Sequence, residues 1–242
     1  MFDLSSQSCT MAREALGKAT RFQWPQALEA SAYADVMKAV EAVPRWALVT
    51  RLGGRHLDLD AAAMRDMSAP QRAEFDRRVR AGASEGFQYL YETCSLYDKW
   101  HGGVLAEEGP VLVDLFAALN SSTFLDSMRE ALDQPEISFA DAQLTRYRAG
   151  HFLTTHDDGN VGKNRVAAFV LTLSEGWKDE WGGVLQFQTP SGEVTDRFVP
   201  RGNTLSLFKV PQPHEVTPVM AHVKASRLSV TGWLRTGDDP GP

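Results

Sequence analysis

The sequence predicts a mainly β protein with added α-helices, whose core is a double-stranded β-helix, or jelly roll, buttressed by N-terminal helices. About eight short segments with strand-like patterns follow residue 137, separated by turns that contain glycine. Before residue 137, apolar residues recur instead at helical spacing. Many short antiparallel strands joined by tight turns are typical of closed or double-sheet β architectures.

Residues 1–136 are predicted to form a mostly helical support that also carries one β-hairpin. One helix is expected after Pro25, where apolar side chains from Tyr33 to Val40 fall at helical intervals. Gly53 and Gly54 supply the positive φ angles of a hairpin turn. The hairpin strands are expected at Trp46–Thr50 and His56–Leu59, and further helices at Ser68–Arg80, from Pro110 through Leu119 and from Ser122 through Leu132.

The predicted jelly-roll core covers residues 137–236 and carries the candidate metal site. Its expected strands are Ser138–Tyr147, Phe152–His156, Arg165–Leu173, Val184–Thr189, Thr195–Val199, Thr204–Lys209, His214–Val219 and Arg227–Arg235. Because no repeat and no low-complexity linker interrupts the chain, residues 1–242 are predicted to form a single domain.

Composition excludes several classes of protein. Cys9 and Cys94 are the only cysteines, too few for a disulfide scaffold or a Cys-based zinc cluster. The net charge of −6 disfavours direct nucleic-acid binding but leaves a basic protein or peptide partner open. No apolar run is long enough to predict a membrane span, and the N-terminus lacks the pattern of a secretion signal, so a cytoplasmic location is expected.

Two histidines and one aspartate form a candidate metal site. His156 and Asp158 are separated by one residue, so in an extended segment both side chains leave the same face. His214 begins another predicted strand. Two imidazoles and one carboxylate are the ligand set of the facial triad that holds non-haem Fe(II). The spacing alone does not decide the question, because surface polar residues near a glycine turn produce it as well.

The last predicted strand carries an arginine where an aliphatic residue is expected. Arg227 and Ser229 share a face with Thr231 and Trp233, and in a middle strand of a jelly roll that face points inward. A buried arginine needs an anion, and its planar fork fits a carboxylate bidentately. One interpretation of Arg227 is an internal salt bridge with an aspartate or glutamate. The other interpretation, favoured by the metal ligands nearby, is a site for a dicarboxylate that also chelates the metal.

The segment from Tyr147 to Trp233 resembles the 2-oxoglutarate- and Fe(II)-dependent oxygenases of the prolyl hydroxylase superfamily. The motifs YRAGHFLTTHDD, RVAAFVLTLSEGW, WGGVLQFQ, PHEV and SRLSVTGWL occur in the order of that family. HDDG and SRLSVTGW are similar to the branch that hydroxylates a proline in a small-subunit ribosomal protein. The resemblance implies Fe(II) as cofactor, 2-oxoglutarate as cosubstrate, O2, and ascorbate as a candidate reductant.

The resemblance also implies roles for single residues. His156, Asp158 and His214 match the iron ligands, and they are the implied catalytic residues. Arg227 matches the residue that binds the distal carboxylate of 2-oxoglutarate. Because relatives that halogenate lack the carboxylate ligand, the presence of Asp158 favours hydroxylation.

Further residues match the cosubstrate and substrate positions of the family. Tyr147 matches a tyrosine of the cosubstrate pocket, and Ser229 follows the basic residue in the family pattern. Thr172 stands where many relatives carry a tyrosine that contacts the same carboxylate, so a shorter hydroxyl must serve here. The positions expected to meet the substrate are Arg165, Asn160 and Trp233.

The predicted function is hydroxylation of a C–H bond of a prolyl residue in a protein, such as a ribosomal protein, with release of succinate and CO2. The alternatives are an oxygenase of the same mechanism acting on a free amino acid or small metabolite, and a cupin-like metal enzyme that does not use 2-oxoglutarate. The expected partner is a protein or peptide substrate, with no membrane. Homo-oligomerisation stays open.

Other conspicuous residues receive a structural interpretation. His56, His101 and His222 are isolated in the sequence, and strand parity turns His151 away from a metal at His156. The aromatic residues Phe87, Tyr89, Tyr91 and Tyr97 are interpreted mostly as core packing, with the alternative that a tyrosine or Trp100 lines the substrate mouth.

Overall fold

The structure is a computed structural model that describes residues 1–159 and 161–241. In that part of the chain the α-helices precede residue 133 and most strands follow it. The helices are α1 (Ser6–Ala19), α2 (Ala30–Glu41), α3 (Ala61–Arg65), α4 (Ala69–Glu85), α5 (Leu96–His101), α6 (Pro110–Leu119) and α7 (Ser122–Leu132). Short 3-10 helices occur at Leu105–Glu108, Val161–Lys163 and Asp179–Trp181.

The strands form one hydrogen-bonded antiparallel sheet that curls on itself. They are β1 (Arg21–Pro25), β2 (Ala47–Leu52), β3 (Arg55–Asp60), β4 (Tyr89–Ser95), β5 (Ile137–Ala140), β6 (Gln143–Tyr147), β7 (Phe152–His156), β8 (Arg165–Thr172), β9 (Leu185–Gln188), β10 (Val194–Phe198), β11 (Thr204–Lys209), β12 (His214–Val216) and β13 (Arg227–Thr236).

The curled sheet has two layers. One layer runs in the order β1-β11-β8-β13-β6, and the other in the order β7-β12-β9-β10. Strand β4 joins them, because along one edge it pairs with β7 through its first residues and with β6 through its later ones, while β2 pairs along the other edge. This half-barrel with helices packed outside confirms the predicted double-stranded β-helix core.

Side-chain alternation separates two apolar regions on either side of the first layer. Phe169 and Leu171 of β8 join the large core that the helices cover, whereas Ala168 and Val170 face the interior of the half-barrel. Strand β13 alternates in the same way: Leu228 and Val230 belong to the helix side. Its residues of opposite parity therefore face the interior, where the candidate site lies.

Local signals explain where the helices begin. Ser68 and Gln71 form a capping box at the start of α4. Helix α7 was expected to be capped by Ser122, but its cap is one residue earlier: the Ser121 hydroxyl accepts the backbone N–H of Phe124 at 3.3 Å.

One predicted strand is two strands in the structure. The expected segment Ser138–Tyr147 is interrupted at Asp141, whose Oδ1 accepts the backbone N–H of Trp233 at 2.8 Å. The Asp141 side chain thus replaces a backbone partner, and the ladder restarts in β6. Opposite this turn, a Cβ added to Gly232 would lie 1.9 Å from the Asp141 carbonyl oxygen, so only glycine fits there.

The predicted hairpin is present as β2 and β3, whereas β1 and β4 were not predicted. Strand β1 is short and ends in a proline, and β4 follows α4 directly after Gly86. No helix in residues 1–159 or 161–241 is long and apolar enough to cross a membrane.

Candidate active site

Two neighbouring strands bring the three candidate metal ligands together. His156 ends β7 and His214 begins β12, and their Cα atoms are direct partners across this antiparallel pair. The two imidazole centroids lie 4.2 Å apart. Asp158 follows with φ of 61°, a left-handed conformation that aspartate tolerates better than most residues. This local turn returns its carboxylate to the two imidazoles.

The ligand atoms are close enough to share one ion. The Asp158 Oδ1 lies 3.4 Å from Nε2 of His156, and its Oδ2 lies 3.4 Å from Nε2 of His214. One ligand atom from each residue falls within 4.8 Å of the other two. This His-Asp-His set can hold a divalent metal ion and leave further coordination positions open.

Backbone carbonyls orient both imidazoles for metal binding. Nδ1 of His156 lies 3.0 Å from the carbonyl oxygen of Thr154, and Nδ1 of His214 lies 2.7 Å from that of Gln212. A carbonyl only accepts, so each Nδ1 carries the hydrogen and each Nε2 keeps its lone pair for a metal.

Electrostatics favour the same ligand state. Burial, together with the neighbouring His156, lowers the pKa of His214 to about 4, so its ring is neutral at pH 7. Burial acts to raise the pKa of Asp158, but the two histidines outweigh it and the pKa is lowered. The site therefore offers a neutral imidazole at His214 and an ionised carboxylate at Asp158, the protonation states that bind metal.

A cavity of about 240 Å³ adjoins the three ligands inside the half-barrel. Leu153, Val170 and Phe208 provide apolar walls. The other lining residues with a functional prediction are Tyr147, Arg165, Arg227 and Trp233.

Arg227 is a buried cation without an anion. It is 2% exposed, and its guanidinium carbon lies 5.1 Å from the ring centre of Tyr147. Within residues 1–159 and 161–241, no carboxylate forms an ion pair with it and its Nε has no hydrogen-bond partner. The internal salt bridge considered from the sequence is thus not found there. Burial lowers the pKa of Arg227 only from a very high value, so the charge remains.

Two further residues predicted to contact the cosubstrate lie beside Arg227. Ser229 is fully buried, and its hydroxyl has no partner among the described residues. Thr172 of β8 is its direct register partner and is 4% exposed. Neither residue is part of the described cavity lining, whereas Tyr147 is.

Arg165 and Trp233 stack against each other next to the ligand set. The guanidinium carbon of Arg165 lies 3.5 Å from the Trp233 ring centre, and its Nη1 lies 3.9 Å from Oδ1 of Asp158. Nε of Arg165 and Nε1 of Trp233 are buried without a partner in the described part of the chain. Two hydrogen-bond donors thus adjoin the cavity near the metal ligands. Asn160, the third predicted substrate position, lies outside the described residues.

An aromatic wall borders the cavity, which agrees with the alternative interpretation of this cluster and not with core packing. Phe87, Tyr89 and Tyr91 line it instead of filling the core, and Tyr91 stacks on Tyr147 at 5.1 Å with an interplanar angle of 13°. Phe87 lies 5.3 Å from the His156 ring. The alternation of β4 carried the signal: residues 89, 91 and 93 share one face, which is the face next to the cavity.

A wider cleft of about 1210 Å³ continues from this aromatic wall. Its sides include Trp46, which directly precedes β2, Asp58 of β3, and Pro240 near the C-terminus. His56, taken as isolated from the sequence, lies here with Nδ1 2.5 Å from the Tyr89 hydroxyl and Nε2 3.1 Å from Asp58. The cleft and the cavity share six lining residues, so the two spaces adjoin each other.

Residues 142–235 match the family described as the 2OG-Fe(II) oxygenase superfamily. The matched segment covers 94 of the 242 residues and includes all three candidate metal ligands. The description of that family names Fe(II) and 2-oxoglutarate, and the His-Asp-His set of this chain can hold a divalent metal ion. A search of curated proteins finds no match.

Solved structures share the fold at low sequence identity. A Pseudomonas putida prolyl-4-hydroxylase is 18% identical, with a TM-score of 0.60 over 95% of this chain and 100% of that one. A Trichoplax adhaerens prolyl hydroxylase in complex with a hypoxia inducible factor peptide fragment is 17% identical, with a TM-score of 0.59 over 95% and 90%. A 2OG-Fe(II) oxygenase family oxidoreductase from Burkholderia pseudomallei is 12% identical, with a TM-score of 0.62 over 100% and 98%.

Proposed function

We propose that this protein is an Fe(II)- and 2-oxoglutarate-dependent dioxygenase that hydroxylates a prolyl residue of a protein substrate. The observation that carries the reaction class is the pairing of a His-Asp-His ligand set with a buried arginine that lacks an anion, around one cavity. A cupin-like enzyme without 2-oxoglutarate would leave the charge of Arg227 buried and unpaired, which is costly.

The metal ligands, Arg227 and the adjoining Ser229 each have a role in this proposal. His156, Asp158 and His214 hold Fe(II), with both Nε2 atoms preset by the backbone carbonyls. Arg227 holds the distal carboxylate of 2-oxoglutarate, and Ser229 adds a hydrogen bond to the same group. The apolar walls exclude water. When bound, the iron with 2-oxoglutarate and O2 supplies oxidative decarboxylation to succinate and CO2 coupled to C–H hydroxylation.

Thr172 and Tyr147 border this cosubstrate position from either side of Arg227. Tyr147 packs its ring against the guanidinium, and burial raises the pKa of its hydroxyl far above its usual range, so it stays protonated and can donate. Thr172 is too short to replace a tyrosine directly, and we assign it a supporting position beside Ser229.

Arg165 and Trp233 are the proposed substrate contacts. Their unpaired N–H groups adjoin the cavity beside Asp158, where they can donate to backbone carbonyl oxygens of a peptide. The open cleft between the β2–β3 hairpin and the C-terminal segment has room for the residues on either side of the proline. This shape favours a polypeptide over a free amino acid, and a ribosomal protein loop is the substrate that the motif resemblance suggests.

Anaerobic titration tests the cosubstrate part. Fe(II) and then 2-oxoglutarate are added to the metal-free protein, and the visible metal-to-ligand charge-transfer band is followed. We expect the band in the wild type and its loss at the same concentrations in Arg227→Ala. Iron binding without any band would refute the use of 2-oxoglutarate and favour the cupin-like alternative.

Substrate class is tested separately by mass spectrometry. Proline-containing peptides from small-subunit ribosomal proteins, free proline and a panel of small metabolites are incubated with the loaded enzyme. A gain of one oxygen atom on a peptide proline, reduced in Arg165→Gln without loss of the charge-transfer band, is the expected result. Oxidation of free amino acids only would refute the protein substrate.

A further inference from the structure

A second cavity lies on the other face of strand β4. Its volume is about 370 Å³, within the range of small-molecule sites. Leu90 and Glu92 of β4 line it, whereas Tyr89 and Tyr91 line the metal cavity. One strand therefore separates two cavities of different character.

The second cavity carries a positive charge in an acidic protein. Its charged lining residues are Arg65, Arg72, Arg80, Arg148, Asp76 and Glu92, a formal excess of two positive charges, whereas the whole chain has a net charge of −6. Such a local excess attracts anions.

The carboxylates present do not neutralise these arginines. Glu92 is 2% exposed and already accepts from Arg65 at 3.2 Å, from Arg148 at 3.1 Å and from Arg146 behind the cavity wall. One negative charge is thus shared by three guanidinium groups.

Helix α4 adds a row of residues at intervals of four. Arg72, Asp76 and Arg80 all line the cavity. Arg72 donates to the carbonyl oxygen of Met64. In the described part of the chain, neither Arg72 nor Arg80 lies within 4.0 Å of a carboxylate oxygen.

A buried histidine provides an independent indication of a ligand. His151 lines the cavity and is 7% exposed, and its Nδ1 has no partner among residues 1–159 and 161–241. Burial, with Arg148 and Arg72 contributing, lowers its pKa to about 4. The neutral ring can donate from Nδ1 in the tautomer that carries the hydrogen there.

We propose that this cavity binds a small organic anion that carries a phosphate monoester. A phosphate monoester has a charge of about −1.5 to −2 at pH 7, which matches the excess of two positive charges better than a single carboxylate does. Arginine forks bind phosphate oxygens bidentately. Leu48, Val79 and Phe152 form an apolar floor for the organic part.

Calorimetric titration of the full-length protein with phenyl phosphate, without iron or 2-oxoglutarate, tests this proposal independently of the proposed reaction. Arg80→Gln removes an exposed lining charge with no described carboxylate partner, so the fold should persist. We expect the Kd to rise about tenfold or more. Arg77→Gln is the matched control, because it makes the same charge change on α4 outside the cavity. It should bind like the wild type.

Each other outcome overturns the proposal. Equal weakening by Arg77→Gln would indicate only nonspecific attraction to a basic helix. Loss of binding in Arg227→Gln instead of Arg80→Gln would place the probe in the metal cavity. Absence of saturable binding to the wild type, or equal binding of neutral benzyl alcohol, would show that no phosphate site exists there.

Discussion

Replacing Arg227 by methionine is expected to change two properties in opposite directions. The unliganded protein should become more stable, and binding of 2-oxoglutarate should become much weaker. Both effects have one cause: the guanidinium is 2% exposed, without a carboxylate partner in the described residues, and thus ready for an anionic ligand.

The magnitudes follow from this geometry. Removal of an unpaired buried charge relieves a desolvation penalty of several kcal/mol, and loss of the cation–π contact with Tyr147 offsets about 1–2 kcal/mol of it. A net gain of about 1–3 kcal/mol corresponds to a rise in Tm of about 2–4 °C per kcal/mol for a chain of this size. Two charge-assisted hydrogen bonds to a carboxylate contribute about 3 kcal/mol or more, so the Kd for 2-oxoglutarate should rise about 150-fold or more.

Thermal unfolding of the metal-free protein and anaerobic 2-oxoglutarate titration are the two assays. Arg235→Met is the matched control, because Arg235 is also buried but is paired: its Nε donates to the Lys163 carbonyl oxygen at 2.7 Å, and Nη1 lies 3.5 Å from Asp141. That variant should lose about 3 kcal/mol of stability. If Arg227→Met is destabilised as much as Arg235→Met, or binds 2-oxoglutarate like the wild type, the reasoning about an anion-seeking arginine is refuted.

Three further predictions concern the metal ligands, the buried ion-pair cluster and pH. Asp158→Ala should abolish stoichiometric Fe(II) binding in anaerobic equilibrium dialysis, whereas the Asp157→Ala control should retain it, because Asp157 accepts the Gly159 N–H instead of joining the ligand set. Glu92→Gln should lower the free energy of unfolding in urea by about 3–5 kcal/mol, because three guanidinium groups lose their shared charge; Glu74→Gln, at an exposed carboxylate, should change it little. The pKa of His151 is lowered to about 4 in the fold and returns to an ordinary value on unfolding, so the unfolded state binds the proton more readily, and stability is lost as the pH falls from about 6.5 to 4. This loss amounts to about 3 kcal/mol at most and should be absent from the pH–stability curve of His151→Gln.

Specific results would contradict each of these. Unchanged Fe(II) binding in Asp158→Ala would remove the carboxylate from the ligand set. A Glu92→Gln variant as stable as Glu74→Gln would show that the arginines do not depend on that charge. Parallel pH–stability curves for the wild type and His151→Gln would show that His151 titrates normally in the fold.

The strands of the core could be predicted because each has a strong local signal. The eight expected segments reappear with ends shifted by a few residues, since glycine turns bound them and β-branched residues fill them. The break at Asp141 could not be predicted, because it depends on a hydrogen bond to Trp233, which is distant in sequence. Strand β1 was missed because it is short and is held by pairing with β11 instead of by its own pattern.

The ligand set was accessible to sequence analysis for a different reason. His156 and Asp158 are close in sequence and their chemistry is distinctive, whereas the aromatic wall depends on the pairing of β4 with both β6 and β7. Tyr89 and Tyr91 are equally compatible with a core and with a cavity wall. Only the tertiary pairing of their strand decides between the two environments.

The ion pairs of Glu92 on β4 affect how well the protein tolerates insertions and deletions. Slippage of a strand by one residue exchanges its two faces. In β4 such a slip would carry the Glu92 carboxylate into the metal cavity and turn Tyr91 toward the arginines. A shift of register would therefore destabilise the packing on both faces of the strand. The three arginines around Glu92 therefore help to fix the register of β4. A one-residue deletion before β4 should be tolerated far less well than one at the tip of the β2–β3 hairpin.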